Sequence, residues 1–251
     1  MSTGPLTGMA GVVSGSGAPI PTLKKILLDR GANVIDPASL PPGPAEPQRA
    51  DGAAEPQPAP GPAEPQRADG TAGRLGFWIH VAGPMGGPLP FVALDPSGFE
   101  ARCENVMVAG LEAVQAAMGA GVDSILFVMP TVAMAGAAGQ VAYCTALEGL
   151  RILVKSTARQ WGSRGLRANC LAVGGEQFEL ASPIAPASGP GPNGPRPSHP
   201  PGLVRSLSAP ALGGPGSVLD LAPMVEFLCG PGSSFVTGLT LCLDGGTWMA
   251  P

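Results

Sequence analysis

An apolar run, Met9-Ala10-Gly11-Val12-Val13, enters the glycine-rich stretch Ser14-Gly15-Ser16-Gly17-Ala18-Pro19, and a helix-periodic segment follows from about Pro21 to Arg30. Leu23, Ile26 and Leu27 share one face of that segment, Gly31 stops it, and Ala32-Asn33-Val34-Ile35 continues as a second strand closed by Asp36-Pro37. A strand, a tight turn, a helix and a strand in that order make a βαβ unit, which implies a parallel sheet with a right-handed crossover. The alternation continues. Phe77–Val81 reads as a buried strand entering the turn Ala82-Gly83-Pro84, and a helix runs from about Gly98 to Gly119. Then come a strand Ser124–Met129, a helix through Tyr143 to Gln160, a strand Arg167–Ala172, a helix near Val218–Leu228 and a last strand Leu239–Leu243. The prediction is α/β: a doubly wound, mostly parallel, Rossmann-like sheet forming one domain over residues 1–251.

Two segments interrupt this pattern. Glycine and proline number 38 and 31 of 251 residues, and most of the prolines fall in 37–73 and 182–216, read as Pro/Gly-rich insertions. In the first, Pro42–Gly52 recurs residue for residue as Pro60–Gly70. Two copies without apolar faces do not build a solenoid, so an extended, disordered loop is expected there. A formal net charge of −4, with 14 basic residues in no run, argues against a nucleic-acid surface or an anionic-membrane partner. The five cysteines lie far apart and form no C-x-x-C pair, which reads as reduced core thiols in a cytoplasmic protein. His80 and His199 are the only histidines, and His199 falls in the second insertion, so no metal site or Ser-His-Asp arrangement is supported.

Trp161-Gly162-Ser163-Arg164-Gly165-Leu166-Arg167-Ala168-Asn169 resembles the W-G-x-x-G-I-R-V-N segment of the short-chain dehydrogenase/reductase family. Phe235-Val236-Thr237-Gly238, Leu243-Asp244-Gly245-Gly246, Ala82-Gly83 and the Tyr143 helix match the same family in order and spacing. The resemblance implies an NAD(P)-dependent oxidoreductase fold. Its nucleotide site would fall on Ser14, Gly15, Gly17, Asp36, Ala82 and Gly83, and its catalytic remnants on Tyr143 and Asn105.

The family's active-site helix carries Tyr-x-x-x-Lys, whose spacing sets the ammonium beside the phenol on one helix face. Here the i+4 position is Leu147. A tyrosine without that neighbour has a pKa of about 10, leaving roughly one phenolate in a thousand at pH 7. Lys155 is too distant to substitute, about 18 Å along the helix. The family serine thirteen residues before the tyrosine falls on Pro130, which has no donor, although the adjacent Thr131 has a hydroxyl. In the phosphate turn, Pro19, Ile20 and Pro21 stand where later glycines belong, and His80-Val81-Ala82-Gly83 replaces N-N-A-G. Most of the interval between Asp36 and Phe77, which holds the adenosine wall in the family, is the repeat.

The leading expectation is therefore a degenerate, non-catalytic subunit of a heteromeric NAD(P)-dependent oxidoreductase. A catalytic paralogue would complete the assembly, a tetramer in the resembling family, and NAD or NADP would belong to the complex rather than to this chain. The resemblance extends to hydroxyacyl-CoA dehydrogenases and to ketoreductase pairs of antibiotic biosynthesis, implying a keto or hydroxy group on a thioester-bound substrate. Two alternatives stay open: a divergent active ketoreductase using Tyr143 with Thr131 and Asn105, and a small-molecule binding module without turnover.

Overall fold

The computed structural model describes residues 6–16, 19–40, 75–174, 210–212 and 216–249. Six strands form one sheet: β1 (Ala10–Gly15), β2 (Asn33–Ile35), β3 (Phe77–Val81), β4 (Ser124–Pro130), β5 (Arg167–Val173) and β6 (Thr240–Leu243). Their order is β2-β1-β3-β4-β5-β6, and every neighbouring pair is parallel. β3 and β4 are buried along their whole length, as central strands covered on both faces must be. Five helices are described: α1 (Pro19–Asp29), α2 (Pro96–Gly119), α3 (Val132–Ala135), α4 (Val141–Trp161) and α5 (Leu221–Cys229). α1 packs with α5, and α2 packs with α4, so the sheet is doubly wound as expected.

α2 and α4 approach closely because position 110 carries no side chain. A Cβ built on Gly110 would lie 2.2 Å from Cδ2 of Leu150, itself fully buried. The arginine of the W-G-x-x-G-I-R-V-N match serves the packing of the fold. Arg167 Nη1 donates to Leu228 O at 2.9 Å, and its Nη2 donates to Gly230 O at 3.2 Å. One guanidinium thus satisfies carbonyls that the end of α5 leaves free.

Several boundaries differ from the sequence reading by one or two residues, and three differences have a clear physical reason or change an element. β1 runs past Val13 to take in Ser14 and Gly15, because these pair with His80 and Val81 of β3 instead of opening the turn. α2 starts at Pro96, since Asp95 Oδ1 accepts from Gly98 N at 2.8 Å and the following proline occupies the first helical position. The last helical segment divides into a 3-10 turn, Val218–Asp220, and α5. Cys144, Cys170 and Cys229 are buried as expected, whereas Cys103 and Cys242 are only half-buried, which corrects the reading of all five as core thiols. Burial pushes the thiols of Cys170 and Cys229 up to about 12. Nearly all of the 37–73 insertion and most of 182–216 lie outside the described residues. Among the described residues no helix is long and apolar enough to cross a membrane.

Candidate functional site

β1 connects to its neighbour β2 on one side of the sheet, while β3 continues the order on the other. The carboxyl ends of β1 and β3 therefore border a topological switch point, where sheets of this kind leave a crevice. Two adjoining cavities lie there. The larger, about 540 Å³, is lined by Ser14, Gly15 and Ser16, by Trp78, His80 and Gly83, and by α2 from Asn105 to Ala116. The smaller, about 200 Å³, lies between α2 and the start of α4, with Arg102, Asn105, Gln140 and Tyr143 among its walls. Pro84, Asn105 and Val106 belong to both.

The floor of the larger cavity is a closed hydrogen-bond chain. Trp78 Nε1 can only donate, and it does so to Ser14 Oγ at 2.8 Å. Ser14 Oγ is also hydrogen-bonded to His80 Nδ1 at 3.2 Å, the direction of that bond following the histidine tautomer. His80 is buried and stacks obliquely on Phe127 at 5.0 Å between ring centroids. Burial lowers its pKa from 6.5 to about 4, so the ring is neutral at neutral pH. Its burial, its contact with Phe127 and its bond to Ser14 are those of a packed histidine at a strand end.

That neutrality has a measurable result. Between pH 6.5 and about 4 the unfolded chain binds a proton on this ring and the folded chain does not, so stability rises with pH across that window. It is progressively lost as pH falls below 6.5, by up to ~3 kcal/mol at the acid end. Urea midpoints followed from pH 7 to pH 4 should fall more steeply in the native chain than in His80→Asn. Parallel curves would contradict the assignment.

Tyr143 is 5% exposed, and its hydroxyl donates to Gly83 O at 2.7 Å. Burial first, and the neighbouring Cys144 second, push the phenol well above the usual tyrosine range. The position one turn later, Leu147, is fully buried, and Lys155 is exposed farther along α4. Pro130 ends β4, and Thr131 is buried with its backbone N–H donating to Val173 O at 2.8 Å. Asn105 is exposed on α2 and faces both cavities. The structure thus joins Tyr143 to Gly83 by a hydrogen bond and sets Tyr143, Asn105 and Arg102 in one cavity wall, with Leu147 and no lysine one turn after the phenol.

Of the nucleotide residues, Ser14, Gly15 and Gly83 share the wall of the larger cavity, Ala82 is fully buried, and Gly17 lies outside the described residues. Asp36 caps the turn Pro37–Ser39, its Oδ1 accepting from Ala38 N at 3.0 Å. Trp78, Arg102, Glu112 and Gln140 were not singled out from the sequence. The α2 members Arg102, Asn105, Val106, Ala109, Ala113 and Ala116 recur at three- and four-residue steps, a helix-face signal that could have found them.

A family model described as enoyl-(acyl carrier protein) reductase matches residues 66–247. The chain belongs to the short-chain dehydrogenase/reductase family. It is 27% identical over 174 residues to a probable 2,4-dienoyl-CoA reductase of Bacillus subtilis, covering 64% of this chain and 62% of that protein. It is 32% identical over 123 residues to a 3-oxoacyl-[acyl-carrier-protein] reductase of Chlamydia pneumoniae, covering 49% and 44%. The chain therefore spans about half to three fifths of the length of these curated relatives. A Serratia marcescens short-chain dehydrogenase/reductase mutant shares the fold, with a TM-score of 0.59 at 19% identity over 97% of this chain and 99% of that one. A dehalogenation enzyme aligns over the same shares with a TM-score of 0.65, also at 19% identity.

The family's cofactor is NAD or NADP, but the described residues do not fit its diphosphate. Pro19 and Pro21 withdraw two of the amide donors that the first turn of α1 would aim at an anion. No lysine or arginine among the described residues lines the larger cavity, and Glu112 does. Gly15 is not a cradle for a phosphate either: a Cβ there would point at Val81 O, 2.0 Å away, inside the sheet.

Proposed function

We propose that this chain is a non-catalytic subunit that supports a catalytic short-chain dehydrogenase paralogue in a hetero-oligomer. Its substrate class is a keto or hydroxy group on an acyl chain held as a thioester to coenzyme A or a carrier protein. The observation that carries the reading is the pairing of a buried Tyr143, bonded to the Gly83 carbonyl, with a fully buried Leu147 at the position of the activating lysine. A phenol held above its ordinary pKa, with no ammonium beside it, is a poor partner for proton transfer near neutral pH. General acid assistance is worth about 10²–10⁴-fold, so an isolated chain lacking it, the serine donor and the phosphate turn falls far below ordinary enzyme rates.

Similarity to a dienoyl-CoA reductase and to an acyl-carrier-protein reductase supports the thioester class. The partner reading draws on the exposed apolar side chains of two packed helices, Met107, Val108 and Leu111 on α2 and Ile152 on α4, residue types that burial in an assembly would cover.

The test is expression with and without the catalytic paralogue, followed by native mass measurement and NADPH oxidation with a 3-oxoacyl thioester. A hetero-oligomer whose rate is unchanged by Tyr143→Phe in this chain is the expected result. Turnover by the chain alone, abolished by Tyr143→Phe, would instead establish the active ketoreductase reading.

A further inference from the structure

At about 540 Å³, the cavity beside β1 and β3 is in the size range of small-molecule sites. Its polar groups are not equally available. Trp78 and Ser14 satisfy one another and His80, so their hydrogen-bonding capacity is turned inward. What remains to meet a ligand is Asn105, Ser16 and the carboxylate of Glu112, set among Val81, Val106, Ala109, Ala113 and Ala116. Apolar walls favour a ring or other apolar body, and a carboxylate accepts hydrogen bonds while repelling anions.

We infer that this cavity takes an uncharged ligand of nucleoside size, one that offers hydrogen-bond donors, and that it discriminates against the same ligand once phosphorylated. A pyrophosphate needs amide donors or cations to replace its water. The described wall offers a carboxylate instead, and the first turn of α1 has lost donors to Pro19 and Pro21. The selection runs opposite to that of a dinucleotide site built on the same strands. It deepens the non-catalytic reading, on which it rests only in that a chain without turnover has no need of the dinucleotide.

Three probes share the adenosine body and differ only in phosphate content: adenosine, AMP and ADP. Calorimetric titration of the purified full chain should show adenosine binding, with affinity falling through AMP to ADP by at least about tenfold in all, the scale of one lost charge-assisted contact. Glu112→Gln removes the charge at an exposed helical position and keeps the shape and one acceptor oxygen, so it should weaken adenosine binding modestly while narrowing that gap several-fold. ADP binding as tightly as adenosine, no adenosine binding, or a gap indifferent to Glu112→Gln would each overturn the inference. Because no turnover enters the measurement, these failures leave the subunit reading to its own test of assembly and activity.

Discussion

Leu147→Lys, the substitution that restores the family's Tyr-x-x-x-Lys spacing, should destabilise the chain by about 4–6 kcal/mol and produce no reductase activity. Leu147 is among the largest fully buried side chains of the core. Replacing it forfeits about 2–3 kcal/mol of apolar burial. The larger penalty is the ammonium. A helical side chain bends toward the N-terminal turn, and there the new amine would meet Tyr143 and Cys144. Burial raises the pKa of both these groups, which reports an environment hostile to charge. The adjacent Glu148 gives no relief, since both its oxygens accept from Arg151 Nη1, at 2.7 and 2.6 Å. A lysine buried this way loses its proton near pH 5–6, at a cost of several kcal/mol at pH 7. Leu147→Met is the control, nearly isosteric and expected to cost less than about 1.5 kcal/mol. Urea unfolding at pH 7 measures both. A lysine variant as stable as the methionine variant would mean that the cleft still admits the ammonium, and the loss of the motif would then be a single reversible step.

The prediction bears on whether the Tyr-x-x-x-Lys spacing could be restored by one substitution. An exposed lysine replaced by leucine leaves a repairable surface, whereas a leucine absorbed into the core leaves its neighbours packed around an apolar side chain. Tyr143 is likewise engaged by the fold. Its hydroxyl bonds a backbone carbonyl at 2.7 Å, an arrangement that ties the Ala82-Gly83 turn to α4. The residue most suggestive of chemistry now holds two elements together.

How much of this is legible in the chain follows from the range of each interaction. β3 is legible to its ends because five consecutive apolar or aromatic-rich residues between Gly76 and Ala82 have one burial state, and that state is local. The Tyr143 helix is legible for the same reason. Ser14 is not, because a serine in a glycine-rich stretch after a strand looks like a phosphate ligand. Its actual partners, Trp78 and His80, are 64 and 66 residues away. Nothing local announces a contact across that distance. Glu112 escapes notice for a related reason: on an amphipathic helix a lone carboxylate reads as solvated surface, and only the placement of α2 across the ends of β1 and β3 puts it in a cavity wall. Asp36, by contrast, sits before a proline, where a ribose ligand and a turn cap look alike in sequence, and its hydrogen bond from Ala38 N shows the turn-capping geometry.

Gly15→Ala should be the most damaging small substitution at the site, costing more than about 4 kcal/mol and abolishing soluble expression if the margin is smaller than that. Two independent terms add. Gly15 has φ +100, outside the region that a residue with a Cβ adopts without strain. A Cβ there would also lie 2.0 Å from Val81 O, and this atom belongs to the backbone of the strand that pairs with it. Neither a rotamer change nor a small side-chain movement relieves such an overlap, so β1 and β3 would have to separate at that point. Gly83→Ala is the contrast, because its Cβ would meet only Ser16 Oγ at 3.3 Å, the end of an exposed side chain, and the expected cost is below about 1 kcal/mol. The pair separates two explanations of why glycine stands after the first strand. If glycine served only ligand approach, Gly15→Ala would fold normally and lose binding. Folding lost in Gly15→Ala and kept in Gly83→Ala, measured by urea unfolding without any ligand, assigns that glycine to the pairing of β1 with β3. Loss of nucleotide binding in a Gly15 variant is then no test of a phosphate site, and Glu112 is the position at which ligand charge can be examined in a folded protein.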